Sequence, residues 1–423
     1  MLKDAPVYDV IIVGAGAAGL IAAGRASRGG GKVLLVERMR QPGRKLLITG
    51  KGRCNITHDA PESVYYKNTF PNGRFLKHAF NAFFTRDIIK ILNERGVDTV
   101  TERGNRVFPA SNRAQDVHRA LTGWMGSKNI DLITQTRVSG LIIENDSVTG
   151  VRAESDRGDK NYYSRSVIVC TGGKSYPATG STGDGYLLAG QAGHTISTPR
   201  PALVPFVTHG DTAARLQGLG LKNINATAWI NGKKGPVEFG ELMFAHYGLS
   251  GPVILTLSRQ VVQALDAGGS VEIGIDLKPA LDEKKLDARL LRDLNDHGKK
   301  QAGNIFRLWL PSKLIPVFTD LTGIDAGKPC GQVTAGERRK ILLLMKDFRF
   351  RVKGHAGFRE AIITAGGVPV SEIFSKTMES KLLKNLYFAG EVIDLDANTG
   401  GFNLQIAFST GYLAAQSALS GKL

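Results

Sequence analysis

Seven residues, Val13-Gly-Ala-Gly-Ala-Ala-Gly19, constrain this chain more than any others. They follow the apolar run Val10–Val13 and precede a small-residue segment, Leu20 to Ala26, that reads as a helix. Gly14, Gly16 and Gly19 fit the G-x-G-x-x-G spacing of a strand turning into a helix. Such a turn sets a pyrophosphate over free N–H groups at the positive end of a helix dipole. In that geometry Gly14 allows the tight turn, Gly16 lets phosphates approach the backbone, and Gly19 lets helix and strand pack closely. A second apolar strand, Lys32 to Val36, ends on Glu37. A carboxylate about 20 residues past the glycines takes hydrogen bonds from an adenosine ribose.

The 423 residues suffice for two or three domains. With no apolar run of about 18 residues, no membrane span or membrane partner is expected. Cys54, Cys170 and Cys330 are widely separated and form no C-x-x-C. They give neither a disulfide framework nor a metal site, and they fit a reducing cytoplasm. Lys and Arg exceed Asp and Glu by 17, an excess that attracts polyanions. Two stretches are dense in it. The first, Arg38 to Arg53, lies beside the expected nucleotide, so Arg38, Arg44 and Lys45 are candidates to face it. The second, Arg338 to Lys353, has no such explanation, and Arg349, Arg351 and Lys353 are candidate RNA phosphate contacts.

Along the chain, residues 1–197 alternate strands and helices. Helices are expected at Asp87–Arg95 and Ala114–Met125, and strands at Leu132–Val138, Gly140–Glu144 and Val148–Glu154. Turns at Gly150 and Gly158 would fold these strands into an antiparallel meander. The buried strand Ser166–Cys170 runs into Gly172 and Gly173, where backbone can pass close to a ligand. Pro199, Pro201 and Pro205 mark a boundary. Short strands follow, at Leu203–Thr208, Ala226–Ile230 and Val271–Leu277. Helices follow in 278–345, and Arg349–Lys353 alternates as an exposed strand does. Ala361–Ala365 and Leu386–Ala389 read as strands of the first domain, and Phe402–Ser417 as a buried helix. The expected fold is α/β. The nucleotide-binding domain is interrupted after about residue 197 by a β-rich and then a helical stretch, and is completed at the C-terminus.

The glycine motif serves NAD and FAD alike, and the C-terminal segment separates them. Gly390 and Glu391 follow a buried strand. Gly400, Gly401, Phe402 and Asn403 open a helix. An acid there suits a ribityl chain, and a helix N-terminus suits the pyrimidine edge of a reduced flavin.

Six blocks in order resemble the BaiN/RdsA-type NAD(P)/FAD-dependent oxidoreductases: Gly43-Arg-Lys45, Gly50-Lys-Gly-Arg-Cys-Asn55, Gly172-Gly-Lys-Ser175, Gly180-Ser-Thr-Gly-Asp-Gly185, Phe244-Ala-His-Tyr-Gly-Leu-Ser-Gly-Pro252 and Gly400-Gly-Phe-Asn403. The resemblance covers nearly the whole chain and implies a Rossmann-like FAD-binding domain (1–197 and 362–423), an inserted β-barrel-like domain (198–277 and 346–361) and a small helical domain (278–345). It implies that Gly14, Gly16, Gly19 and Glu37 hold the ADP half of FAD, with Arg44 and Lys45 near phosphate or adenosine and Val138 meeting the adenine through its backbone. Gly52, Arg53, Cys54 and Asn55 would run beside the isoalloxazine. Gly390, Glu391, Gly401 and Asn403 would take the ribityl and pyrimidine side. The family's loop usually has Gly where Lys51 stands, which adds charge near the flavin. No second strand–glycine–helix unit ends in an acid, so NAD(P)H is expected as a transient reductant.

Family members are associated with reduction of carbon–carbon double bonds in ribosomal RNA uridine and steroid-like acids, and with amine oxidation. Charge favours RNA. The expected activity is therefore FAD-dependent, NAD(P)H-driven reduction of a uridine C5=C6 bond in 23S rRNA, by a cytoplasmic enzyme that is monomeric or weakly oligomeric. A flavin-dependent reductase or oxidase of a small keto steroid-like acid or amine is the alternative. Cys54, its pKa expected to be lowered by Arg53, is the first candidate proton donor, and His246 and Tyr247 are the second.

Overall fold

The computed structural model describes residues 7–126 and 128–420. Residues 1–6, 127 and 421–423 of the expected first domain lie outside the described residues. The chain divides into two compact units, 1–201 with 361–423, and 202–360.

The first unit is built on parallel strands in the order Ile130–Ile133, Val33–Val36, Val7–Val13, Lys160–Val169, Leu386–Phe388. Val33–Val36 is buried throughout, the apolar run required of a strand covered on both faces. Helix Ala17–Arg28 lies directly after the first strand. The C-terminal helix Phe402–Ser420 packs against it so closely that a Cβ on Gly411 would stand 2.4 Å from the Ala18 carbonyl oxygen.

Several sequence expectations need correcting here. The expected strand Leu132–Val138 is two strands: Ile130–Ile133 joins the parallel sheet, and Thr136–Glu144 runs antiparallel to Ser147–Ser155. The break falls at Gln135, which has φ +55. Gly150 is not a turn. It sits mid-strand where a Cβ would meet the Tyr162 carbonyl oxygen at 2.2 Å, and the reversal is made by Asn145 and Asp146, both at positive φ. The strand expected at Ala361–Ala365 is present in the first unit as Ile363–Gly367, paired with Ser197–Ala202.

The second unit holds a closed barrel in the order Phe206–Thr208, Gly248–Ser250, Lys233–Ala245, Gly220–Ile230, Val271–Asp276, Phe348–His355. Phe348, Phe350 and Val352 point inward, and Arg349, Arg351 and Lys353 outward, as a period of two dictates. Helices Glu283–Asp296, Ala302–Trp309, Leu314–Thr322 and Ala335–Lys346 share one buried cluster with the barrel interior. The last of them starts on a capping box: Thr334 Oγ1 accepts from the Glu337 amide at 3.2 Å, and the Glu337 carboxylate accepts from the Thr334 amide at 2.7 Å. Helix Pro252–Asp266 has no counterpart in the sequence expectations, and Leu314–Thr322 lies within 278–345, where helices are expected. No helix among the described residues is long and apolar enough to cross a membrane.

Candidate functional site

The first glycine turn has the geometry its spacing calls for. Gly14 has φ +97 and donates its amide to Val36 O at 2.8 Å. A Cβ there would lie 2.7 Å from the Cys170 carbonyl oxygen, and one on Gly19 would lie 1.9 Å from the Gly14 oxygen. Gly16 is the N-cap of Ala17–Arg28, and a Cβ on it would meet nothing within 4 Å. No side chain caps this helix and no acid stands in its first turn. Its leading N–H groups therefore face open space with a positive field, which suits phosphate.

Glu37 is buried, at 8% exposure. One carboxylate oxygen accepts from the Ala15 amide and the other from the Met39 amide, each at 2.8 Å. Burial pushes its pKa above the ordinary carboxylate range, while those two amides pull it down. Each oxygen keeps a second lone pair for a ribose hydroxyl. Arg38 is engaged elsewhere, bonding Thr182 and pairing with Asp184 at 2.8 Å. Arg137 joins the same carboxylate at 3.2 Å. Arg44 is exposed at the start of the short helix Arg44–Ile48. Val138 is buried opposite Ala153, where the strand register shifts before Gly140.

The segment Gly50–Asn55 coils through left-handed conformations: Gly50, Lys51, Gly52 and Cys54 have φ of 56, 57, 84 and 61. Lys51, the departure from the family pattern, holds the left-handed turn without being glycine and is exposed. A Cβ on Gly52 would meet nothing within 4 Å, a second open approach to backbone. Arg53 turns away from Cys54, bonding Glu102 and Asn112 and lying 4.1 Å from the Phe108 ring centre. Cys54 is fully buried and its thiol is pushed up to about 11 by that burial. The direction is opposite to the expected lowering by Arg53. In the orientation that satisfies both ends of its amide, Asn55 accepts from the Gly401 amide at 3.1 Å and donates to Thr57 O at 3.2 Å.

Gly401, at φ +101, presses on Thr57, where a Cβ would come within 2.4 Å of the backbone. It opens the helix Phe402–Ser420, which also lacks an acid in its first turn. Phe402 is buried and stacks on His58, ring centres 4.3 Å apart. Asn403 clasps its own loop, donating to Ala397 O at 2.7 Å and accepting from the Ala397 amide at 2.8 Å. Gly390 has φ +75 and donates to Thr410 Oγ1 at 2.9 Å.

Glu391 ties three segments together. One oxygen accepts from Lys45 Nζ at 2.7 Å; the other accepts from Ser175 Oγ at 2.6 Å and the Thr364 amide at 2.8 Å. Lys45 also donates to Ser175 at 2.6 Å. Gly173 must be small because a Cβ would meet Thr364 Oγ1 at 2.4 Å; Gly172 has φ +73 and lies beside Ser181. Sequence reasoning singled out neither Thr364 nor Tyr186. The Tyr186 hydroxyl is buried with no hydrogen-bond partner among the described residues, and burial beside Glu391 and Asp394 pushes it strongly toward the neutral form. Such an orphan is satisfied by a ligand group or by water. The open faces at Gly16 and Gly52, the two helix N-termini without an acid in the first turn and this hydroxyl fit FAD.

The remaining candidates lie in the second unit. His246 is exposed and packs edge-on to Tyr247, ring centres 4.8 Å apart, in the turn before Gly248–Ser250. Tyr247 donates to Glu360. Arg349 is held by Asp347 at 2.7 Å and Glu272 at 3.0 Å, whereas Arg351 and Lys353 are exposed.

The family model described as HI0933-like protein Rossmann domain matches residues 8–417. The chain belongs to the HI0933-like family. This protein is an FAD-dependent oxidoreductase. It is 29% identical over 415 residues to the ribosomal RNA dihydrouridine synthase of Escherichia coli (strain K12), covering 98% of this chain and 99% of that one. It is 28% identical over 409 residues to the 3-dehydro-bile acid delta(4,6)-reductase of Clostridium scindens, covering 96% and 98%. Among solved structures, the 3-ketosteroid-delta4-(5alpha)-dehydrogenase of Rhodococcus jostii RHA1 shares the fold at a TM-score of 0.51 and 14% identity, covering 99% of this chain and 98% of that one.

Proposed function

We propose that this flavoenzyme reduces the C5=C6 bond of a uridine in 23S ribosomal RNA to dihydrouridine, with NAD(P)H as a transiently docked reductant in the cytoplasm. The reading rests on one combination: full-length likeness to a ribosomal RNA dihydrouridine synthase in a chain of net charge +17. NAD(P)H gives up two electrons and a hydrogen, and uridine gains that hydrogen at C6 and a solvent-derived proton at C5. Bound FAD supplies the hydride relay between them. Gly14, Gly16, Gly19 and Glu37 hold the ADP half. The backbone of Gly50–Asn55 and the N-terminus of Phe402–Ser420 would border the flavin ring, where the dipole of that helix would favour negative charge on it. Glu391 and Lys45 act by fixing the loops at Ser175 and Thr364. Cys54, sealed and neutral, serves packing in this reading, and His246 is the stronger candidate to hold the proton destined for C5.

The test is reduction of protein-free 23S rRNA from a deletion strain by purified holoenzyme, followed by nuclease digestion and mass spectrometry. NAD(P)H oxidation that adds two hydrogens to one uridine supports the reading, and His246→Gln slows it. NAD(P)H oxidation driven by an unsaturated 3-oxo steroid acid but not by rRNA supports the second reading, which the likeness to a bile-acid reductase favours.

A further inference from the structure

The outer wall of the six-stranded barrel carries a pattern that the flavin site does not use. Ladder register sets Lys234 opposite Trp229, Trp229 opposite Glu272, and Glu272 opposite Arg351. A neighbouring row runs Val237, Thr227, Gly274, Arg349. Phe239, opposite Asn225, is 63% exposed on the same face. The Arg349 guanidinium stacks 4.1 Å from the Trp229 ring centre while paired with Asp347 and Glu272, so it offsets one of the two acidic charges in the middle of the wall. Lys234, Arg351 and Lys353 pair with no carboxylate among the described residues. The wall therefore offers the open Phe239 ring on the strand that carries Lys234, with the free charges of Arg351 and Lys353 at the far edge.

That is the chemistry of single-stranded nucleic acid binding, in which bases stack on aromatic rings and cations track the phosphates. We propose that this wall docks a single-stranded RNA segment, with Phe239 stacking a base and Lys234, Arg351 and Lys353 contacting phosphates. The proposal rests on the RNA reading above and names where the RNA is held. Lys234 and Arg351 are three strand spacings apart, about 14 Å, and Phe239 lies five residues along the strand from Lys234, about 16 Å. A platform of that size takes a short single-stranded run. Glu241, exposed beyond Phe239, repels phosphate at that end, so the RNA backbone runs from Phe239 toward the lysines.

Full-length holoprotein titrated with a short fluorescein-labelled oligouridine tests this by anisotropy. Phe239→Ala weakens binding about tenfold, the order of one lost base stack, without changing its salt dependence. Phe239→Tyr restores it. Lys234→Glu combined with Lys353→Glu weakens binding and lowers the slope of log affinity against log salt by about 1.4, two single-strand phosphate contacts. All three side chains are exposed, so FAD content and melting temperature remain those of the unsubstituted protein. Unchanged affinity and slope in these variants overturn the proposal. A change in self-association with oligouridine binding unaltered also overturns it and gives the wall to a second copy of this chain. The substrate reading fails separately. If a deletion strain keeps every rRNA dihydrouridine, that reading falls while the titration still decides the wall. If the deletion loses one and the variants restore it while binding oligouridine normally, the wall alone falls.

Discussion

Two glycine-led helix N-termini lie in the first unit, and they use their side chains in opposite ways. At Gly14–Gly19 the acid that follows, Glu37, spends its first lone pairs on the Ala15 and Met39 amides and remains available to a ribose. At Gly400–Asn403 the polar side chains are consumed internally: Asn403 closes on Ala397, and Glu391 is taken by Lys45, Ser175 and Thr364. The first terminus recognises through a side chain and backbone together. The second offers backbone, and its side chains hold the loops still. A preorganised site needs both, because ligand-binding groups are only as well placed as what supports them.

The comparison can be broken at either end. The largest effect is expected from Gly19→Val: with a Cβ 1.9 Å from the Gly14 oxygen, the turn cannot close, and the purified protein carries no flavin absorbance. Next is Glu391→Ala, which leaves the partly buried Lys45 without its carboxylate. Removing one partner of a buried pair costs on the order of 3 kcal/mol, read as a lower denaturant midpoint even in protein stripped of FAD. Glu37→Gln acts the other way. It weakens FAD binding by about 2 kcal/mol, the scale of a hydrogen bond to a charged group, yet does not destabilise the stripped protein. The sign follows from its raised pKa. Glu37 contributes stability below its unfolded pKa of about 4.3, and that contribution is lost as pH rises through the folded value. Thermal melts of stripped protein should therefore show Gln gaining on Glu as pH rises from acid to neutral. If Glu37 and Glu391 respond alike, the two termini do not differ as described. The smallest effect concerns Cys54: with its thiol at about 11 and fully buried, it resists iodoacetamide at mildly alkaline pH until the protein unfolds, and rapid native labelling would reopen its role as an acid.

Legibility follows the range of the interactions. The strand–glycine–helix unit and Glu37 were readable because the constraint is local, one turn and one acid in a short stretch. Helix Ala114–Met125 was readable to the residue from its periodicity. Gly150 misled because a glycine in a strand serves either a turn or the close approach of a neighbour, here Tyr162, and only the pairing tells which. The split at Gln135 was hidden because an apolar run shows no change of sheet direction. The direction of the Cys54 shift was misjudged because adjacency to Arg53 in sequence says nothing of where that side chain turns. Thr364 and the orphaned Tyr186 hydroxyl carry no sequence signal, since their significance arises from segments brought together only by folding. Arg349 looked like its neighbours in the alternating strand, and only the cross-strand register showed that Glu272 and Asp347 engage it.

The most direct test of the central claim is a mass-spectrometric map of 23S rRNA from the wild type and from a strain lacking this protein. The account predicts that one dihydrouridine disappears in the deletion, returns with the intact gene and does not return with Gly19→Val. Persistence of every dihydrouridine in the deletion strain would contradict it.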